Sequence, residues 1–386
     1  MAQVIQIPGV VKSIAKQLLG NIDIESVSTK EWVSIGNDIL STPEKTSNYA
    51  SALTSTIAET VISTRAYEAN SIIRKDMHEY GLQIRKIYTD PIKTLNDIEN
   101  NKAYELVNGQ PIEQYTVRLP DTKSKVFAKA ASFQIPITIQ EDELKMSFEG
   151  PETWGAYIAS LFEMVSNVLQ IVQEGMDNIA IATLAGTCYA QAQKEDNSSI
   201  VYKNVLDIYN TRTNAGFTEE KARTDKDFLR FFNRTLIGDA RRLVKPSNLY
   251  NSEGWTRHTP AEYQRLLVLD SFELDSLMYM ESDTFHNELV AMPGHYSVPY
   301  WQSANPDLDS TIDITLPDDD ETEVNTDGIV AMTFDLEALG TNIYLEKVTT
   351  SPYNANGDFY NYFYKFTKSY YVDPSEQCIV YAIKGE

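Results

Sequence analysis

Metal or nucleophile chemistry in this chain of 386 residues would have to be built on four histidines and two cysteines. His78, His258, His286 and His295 have no metal-ligand spacing to one another or to a cysteine. Cys188 and Cys378 form neither a disulfide framework nor a metal motif. They read as buried free thiols in a reducing compartment. No nucleophile elbow, Walker loop or dinucleotide-binding glycine run occurs. Acidic pairs are so common here that a glycosidase-type pair does not stand out. The acidic stretch PDDDETE (317–323) lacks the glycine and the terminal glutamate of a calcium loop, and reads as a solvated surface loop. The expectation is no enzyme, no cofactor and no metal.

What the charged residues do show is organisation. Glu152, Glu163 and Glu174 are each eleven residues apart, close to three helical turns, so they share one helix face, with Asp177 a turn beyond Glu174. Arg118, Lys123, Lys125 and Lys129 gather around the polar run PDTKSK. Arg241, Arg242 and Lys245 close a helix, where the dipole favours cations. The net charge is −22 and the isoelectric point about 4.6. Such a balance predicts no useful affinity for nucleic acid, although it permits enclosing it. The expected use of the charges is inter-subunit: the cationic tip (Arg118, Lys123, Lys125, Lys129) against the acidic row (Glu152, Glu163, Glu174, Asp177) of an adjacent subunit.

The element that must carry the row is one long helix from Pro151 to about Lys194. Pro151 suits the first helical position. Trp154, Ile158, Leu161, Val165, Val168, Val172, Met176 and Ile179 recur at three- and four-residue steps opposite the acids. The rod would span roughly 60 Å. Before it, IPGVVKSIAKQLLG reads as a short amphipathic helix. Pro43 to about Tyr80 reads as a second helix poor in large apolar residues, hence a weakly packed arm or one that packs on a neighbour. Ile112–Leu119 and VFAKAASFQIPITIQ (126–140) read as a long hairpin turning at Pro120–Lys125, with Pro136 marking an edge or irregular strand.

Beyond the long helix, Thr224 is the expected cap of DKDFLRFFNRTLIGDARRLV, and Leu266–Leu269 reads as a buried strand. His258 sits in WTRHTP, which looks like a loop that fixes a chain direction. From Gly328 onward the chain reads as β, with Asn356-Gly357 as a hairpin turn and both faces of the tyrosine-rich strands covered. No signal peptide or membrane-length apolar span is evident, so synthesis and folding are expected in the cytoplasm without membrane contact.

The order of parts is arm, extended hairpin, long helix, α/β lobe, late strands. It resembles the major capsid proteins of tailed bacteriophages, the HK97-like fold. ITIQEDELKMSFEGPETW, GIVAMTFDLEALG and FYNYFYKFTKSYYVDPSEQCIVYAI resemble those of small short-tailed phages of Gram-positive hosts, podophages of the Salasmaviridae kind. The resemblance covers about residues 85 to 386. It implies an α+β subunit with an N-terminal arm at 1–88 and an extended loop at 89–149. The spine helix of a peripheral domain follows at 150–199, an axial domain at 200–327 and return strands at 328–386. It further implies pentamers and hexamers closing an icosahedral or prolate shell, a scaffolding protein and a portal, double-stranded DNA inside without specific binding, and a virion location. A cargo-enclosing nanocompartment shell of the same fold and an acidic binding module are the alternatives.

Overall fold

The computed structural model describes residues 29–42, 45–54, 74–77, 84–89, 108–109, 122–127, 130–194, 200–281, 294–316, 322–354 and 356–385. In chain order its elements begin with helices α1 (Thr29–Ile39) and α2 (45–54) and strands β1 (Arg74–Met77), β2 (Ile84–Thr89), β3 (Thr122–Phe127) and β4 (Ala130–Gln140). A short helix α3 (Glu141–Ser147) leads into the long α4 (Pro151–Lys194). Next come β5 (Tyr202–Asn204), α5 (Val205–Thr213), α6 (Glu219–Thr224), α7 (Lys226–Leu243), β6 (Gln264–Leu269) and α8 (Asp270–Glu281). The strands β7 (Tyr296–Val298), β8 (Ile312–Thr315), β9 (Glu323–Thr326), β10 (Ile329–Asp335), β11 (Leu339–Thr350), β12 (Phe359–Val372) and β13 (Cys378–Ala382) complete the chain.

Two sheets divide the strands. One has the order β1-β11-β12-β4 and the other β5-β13-β10-β6-β7. The second takes strands from both sides of residue 328. β2 pairs with β3, and β8 with β9, as separate two-stranded ribbons. Each sheet has its own core. The larger core joins the five-stranded sheet to α5, α7 and the second half of α4, from Ala180 to Ala192. The smaller joins Ile135, Ile137, Ile139, Tyr360, Tyr362 and Tyr364 to Trp154, Ile158 and Val165 at the start of α4.

The helix α4 therefore runs through both cores. Its expected bounds and its buried Trp154, Ile158, Val165 and Met176 are present; Ile179, expected inside, is 54% exposed. By Ile179 the buried stripe has moved round to Ala180, Ile181 and Leu184, where the larger core takes over. At 44 residues the helix is about 65 Å long. Contrary to the sequence expectation, it is long and apolar enough by length and composition to cross a membrane. Its two ends, however, are taken up by protein cores. Gly186 lets a ribbon approach: an added Cβ would stand 2.7 Å from Cδ1 of Ile314 on β8.

The N-terminal region departs from expectation most. The helix predicted from Pro43 to Tyr80 does not run through: α2 covers 45–54, and Arg74–Met77 is a strand parallel to Gly340–Ile343. Nor are α1 and α2 weakly packed. Trp32 is fully buried, edge-on to Trp154 at 5.4 Å, and Tyr49 accepts a hydrogen bond from the Trp154 indole at 2.8 Å. The 126–140 run also divides. Val126 and Phe127 end β3, while Ala130–Gln140 is an edge strand paired along its length with β12, as Pro136 suggested. The turn expected at Pro120–Lys125 is instead strand from Thr122. The cap of α7 is Asp225, which accepts from the Phe228 amide at 2.9 Å; Thr224 ends α6. The reading of β6 as a buried strand holds, as does that of Cys188 and Cys378 as buried free thiols. The expected helix at 7–20 and the strand at 112–119 lie outside the described residues.

Candidate functional site: an ionic latch under the β2–β3 ribbon

Alternation along the β2–β3 ribbon sorts its side chains. Arg85, Ile87 and Thr89, with Thr122, Ser124 and Val126, face outward. Lys86, Tyr88, Lys123 and Lys125 face the body. Lys86 and Lys125 are direct cross-strand partners, an arrangement of like charges that disfavours pairing by itself. One carboxylate resolves it. Asp373, fully buried in the turn after β12, receives the Lys86 ammonium at 3.2 Å on one oxygen and that of Lys125 at 3.3 Å on the other.

Further donors complete the hub. The Tyr88 hydroxyl donates to Asp373, as do the Ser375 amide at 3.2 Å and the Ser375 hydroxyl at 2.6 Å. Lys86 also donates to the Glu337 carbonyl, and Lys125 to Glu253. Burial opposes ionisation of Asp373, but Lys86, Ser375, Tyr88 and Lys125 together hold its carboxyl below the usual aspartate range. Burial, then Asp373, keeps the Tyr88 phenol protonated far above its ordinary range.

A loop on the other side closes the site. The Arg257 guanidinium lies 3.8 Å from the Tyr88 ring centroid and 3.7 Å from Glu376. Trp255 stands edge-on to Tyr88 at 4.9 Å, and Lys123 lies 4.7 Å from the Trp255 ring. Glu376 is largely but not fully buried, with Lys86 at 3.9 Å; desolvation pushes its carboxyl up to about 7 against the pull of Lys86 and Arg257. The loop is stitched down by backbone bonds from Ser252 to Pro374 and from Cys378 to Tyr250.

The arrangement clamps the ribbon to the body. Lys86, Tyr88, Lys125 and Ser375 are bonded within it, and among the described residues no cluster of three or more metal-ligating side chains occurs. Of the residues expected from sequence, Lys123 and Lys125 lie here, on the inner face of a strand, and Lys125 is bound to Glu253 and Asp373 of its own chain. Arg118 and Lys129 lie outside the described residues. Glu152, Glu163 and Glu174 are exposed along α4 and Asp177 is half-buried. Asp373, Glu376, Tyr88, Lys86, Trp255 and Arg257 were not expected. The only local signal was the WTRHTP loop, whose Trp255 and Arg257 carry the contacts while His258 is exposed.

The family model for Phi29-like phage major capsid proteins matches residues 11–382. The chain belongs to that family. It is a structural capsid shell protein of mixed α and β architecture, and its place is the virion. Nothing supports the nanocompartment alternative. Among solved structures it is similar to the capsid of Staphylococcus phage Andhra, at 13% identity and TM-score 0.48, covering 82% of this chain and 84% of that one. A structure of the head fiber and inner core protein of bacteriophage P68 is similar at 10% identity and TM-score 0.46, covering 82% and 84%. The capsid of cyanophage P-SCSP1u is similar at 9% and 0.41, covering 81% and 86%. Among curated proteins, none matches the chain.

Proposed function

We propose that this capsid protein closes its shell from pentamers and hexamers, icosahedral or prolate. In this reading it assembles in the host cytoplasm with a scaffolding protein and a portal, and encloses double-stranded DNA without specific binding. It catalyses nothing and uses no cofactor or membrane. The supporting observation is α4: one 44-residue helix spans two cores and leaves its acidic row on the surface. A long body with an arm clamped at one side is what a shell subunit needs to reach its neighbours. We divide it into an N-terminal arm (1–88), an extended loop (89–149), the spine (150–199), an axial domain (200–327) and return strands (328–386). Glu152, Glu163, Glu174 and Asp177 then face the cationic 118–129 stretch of an adjacent subunit, with Lys125 shared with its own latch. Such contacts orient subunits more than they bind them, at about 0–1 kcal/mol each.

The test is expression with and without a co-expressed scaffolding partner, followed by sedimentation and negative-stain microscopy. Closed shells or ring capsomers are expected. A monomer under every condition, including crowding and low salt, overturns the reading.

A further inference from the structure

Away from the latch, five of the chain's twelve arginines line one open cavity of about 770 Å³ between α5 and α7. They are Arg212, Arg230, Arg234, Arg241 and Arg242, with Lys203 in the wall. The opposite face of α7 is core, through Phe228, Phe232, Leu236 and Leu243. On the open face Arg230, Arg234 and Arg241 follow one another at helical spacing, and nothing stands within 4 Å of a Cβ added at Gly238. One carboxylate lines the cavity, Asp239, and it is fully buried and already bonded. It accepts from Lys203 at 2.6 Å, from Arg242 at 2.8 Å and from the Tyr381 hydroxyl at 3.2 Å. The helix dipole accounts for Arg241 and Arg242 in the last turn of α7 and Arg230 pairs with Asp227 at 3.6 Å, but neither accounts for Arg234.

We propose that this cavity binds the phosphate backbone of double-stranded DNA, without reading its sequence. The proposal rests on the shell reading only for the source of the phosphate. Guanidinium forks match phosphate oxygens two at a time, which suits arginine rather than lysine. From Arg230 to Arg241 the cations extend about 16 Å along the helix. Duplex DNA offers about one charge per 1.7 Å over such a length. The acidic row of a second copy offers two carboxylates in that span, Glu163 with Glu174 or Glu174 with Asp177, fewer than the five guanidiniums. The net charge of −22 is no obstacle at this distance scale. At about 0.1 M salt, charges more than about 10 Å away are largely screened, so DNA at the cavity meets the local cations. The proposal departs from the expectation from composition that the subunit has no useful affinity for DNA, and the titration below decides between them.

The experiment titrates the full-length unassembled chain against a fluorescein-labelled 20-base-pair duplex by anisotropy, from about 50 to 200 mM salt, the range in which phosphate contacts are salt-sensitive. The double variant Arg234→Glu/Arg241→Glu should weaken binding at least tenfold and lower the log–log salt slope by about two, at about 0.9 per lost contact. Arg234→Lys/Arg241→Lys should keep the salt slope, because the charges remain, while losing part of the affinity with the bidentate forks. Binding unchanged in the Glu variant overturns the proposal. If that variant does not fold by circular dichroism, Arg234→Gln decides in the same titration: an unchanged slope overturns, a slope lower by about one supports. Assembly is followed in parallel by sedimentation. A variant that loses assembly but binds DNA like the parent shows that the cavity receives carboxylates of a second copy, and overturns the proposal. A parent that binds DNA but never assembles counts against the shell reading alone.

Discussion

At the scale of single residues, the latch should give the subunit an unusual pH dependence. Glu376 is faced by Lys86 from the ribbon, Arg257 from the loop, Asp373 from its own turn and Asp335 from the end of β10. Its folded carboxyl, at about 7, is above its unfolded value of about 4.5, so the folded state holds the proton more tightly. That contribution is fully present below the unfolded value and lost as pH rises through about 7; over the whole interval it amounts to about 3 kcal/mol. Asp335, raised chiefly by burial, acts in the same direction. Asp373 has the opposite sign: its lowered value stabilises above the ordinary aspartate range and fails only in stronger acid. Denaturant melts of unassembled subunit should therefore show stability falling between pH 5 and 8, and Glu376→Gln should flatten that slope. Equal slopes in parent and variant would refute it. Tyr88→Phe leaves a buried carboxylate short of a donor and should cost about 1–3 kcal/mol in the same melts. None of these pairs was legible beforehand. The sequence singles out Lys125 as part of a cationic cluster, but its partner Asp373 lies 248 positions away, and nothing local encodes such a pairing.

At the scale of elements, legibility followed the length of the pattern. The spine showed in the sequence from end to end because 44 residues repeat one apolar spacing, and Pro136 marked an edge strand because it lacks an amide hydrogen. Arg74–Met77 did not show, because RKDM has no apolar alternation; pairing with β11 makes it a strand. The packing of α1 was equally hidden, since one tryptophan supplies most of it. Trp32→Ala should therefore destabilise the smaller core by about 3–5 kcal/mol, read as a lowered melting temperature, although the region looks like a loose arm. A retained melting temperature would show that α1 is expendable. Gly186→Val tests the approach of the β8–β9 ribbon to the spine. It should cost about 1–3 kcal/mol through contact with Ile314, and Ile314→Ala should relieve part of that cost. Additive losses would mean that the two sites do not touch.

At the scale of the whole molecule, the family was legible in the order of parts, and the sheet assignments were not. The late strands were expected beside the spine, and β11, β12 and β13 do touch the long helix; what stayed hidden is that β10 and β13 join the five-stranded sheet while β11 and β12 build the four-stranded one. A single unbroken apolar run cannot say which of two sheets it joins. The acidic row supports a prediction at this scale: Glu163→Lys/Glu174→Lys leaves two exposed positions on the spine, so the subunit should melt like the parent while its assembly shifts with salt. Assembly identical to the parent at low and moderate salt would remove the row from the contact. The latch has a consequence in time as well. Lys86 and Asp373 are 287 positions apart. At about 5–20 residues per second on a ribosome, roughly 15–60 s separate the emergence of the ribbon from that of its carboxylate. Throughout that interval the nascent ribbon has two lysines and a tyrosine whose own anchor does not yet exist. Docking of the ribbon is thereby tied to synthesis of the segment around Asp373, and a product truncated before it leaves the ribbon without this anchor.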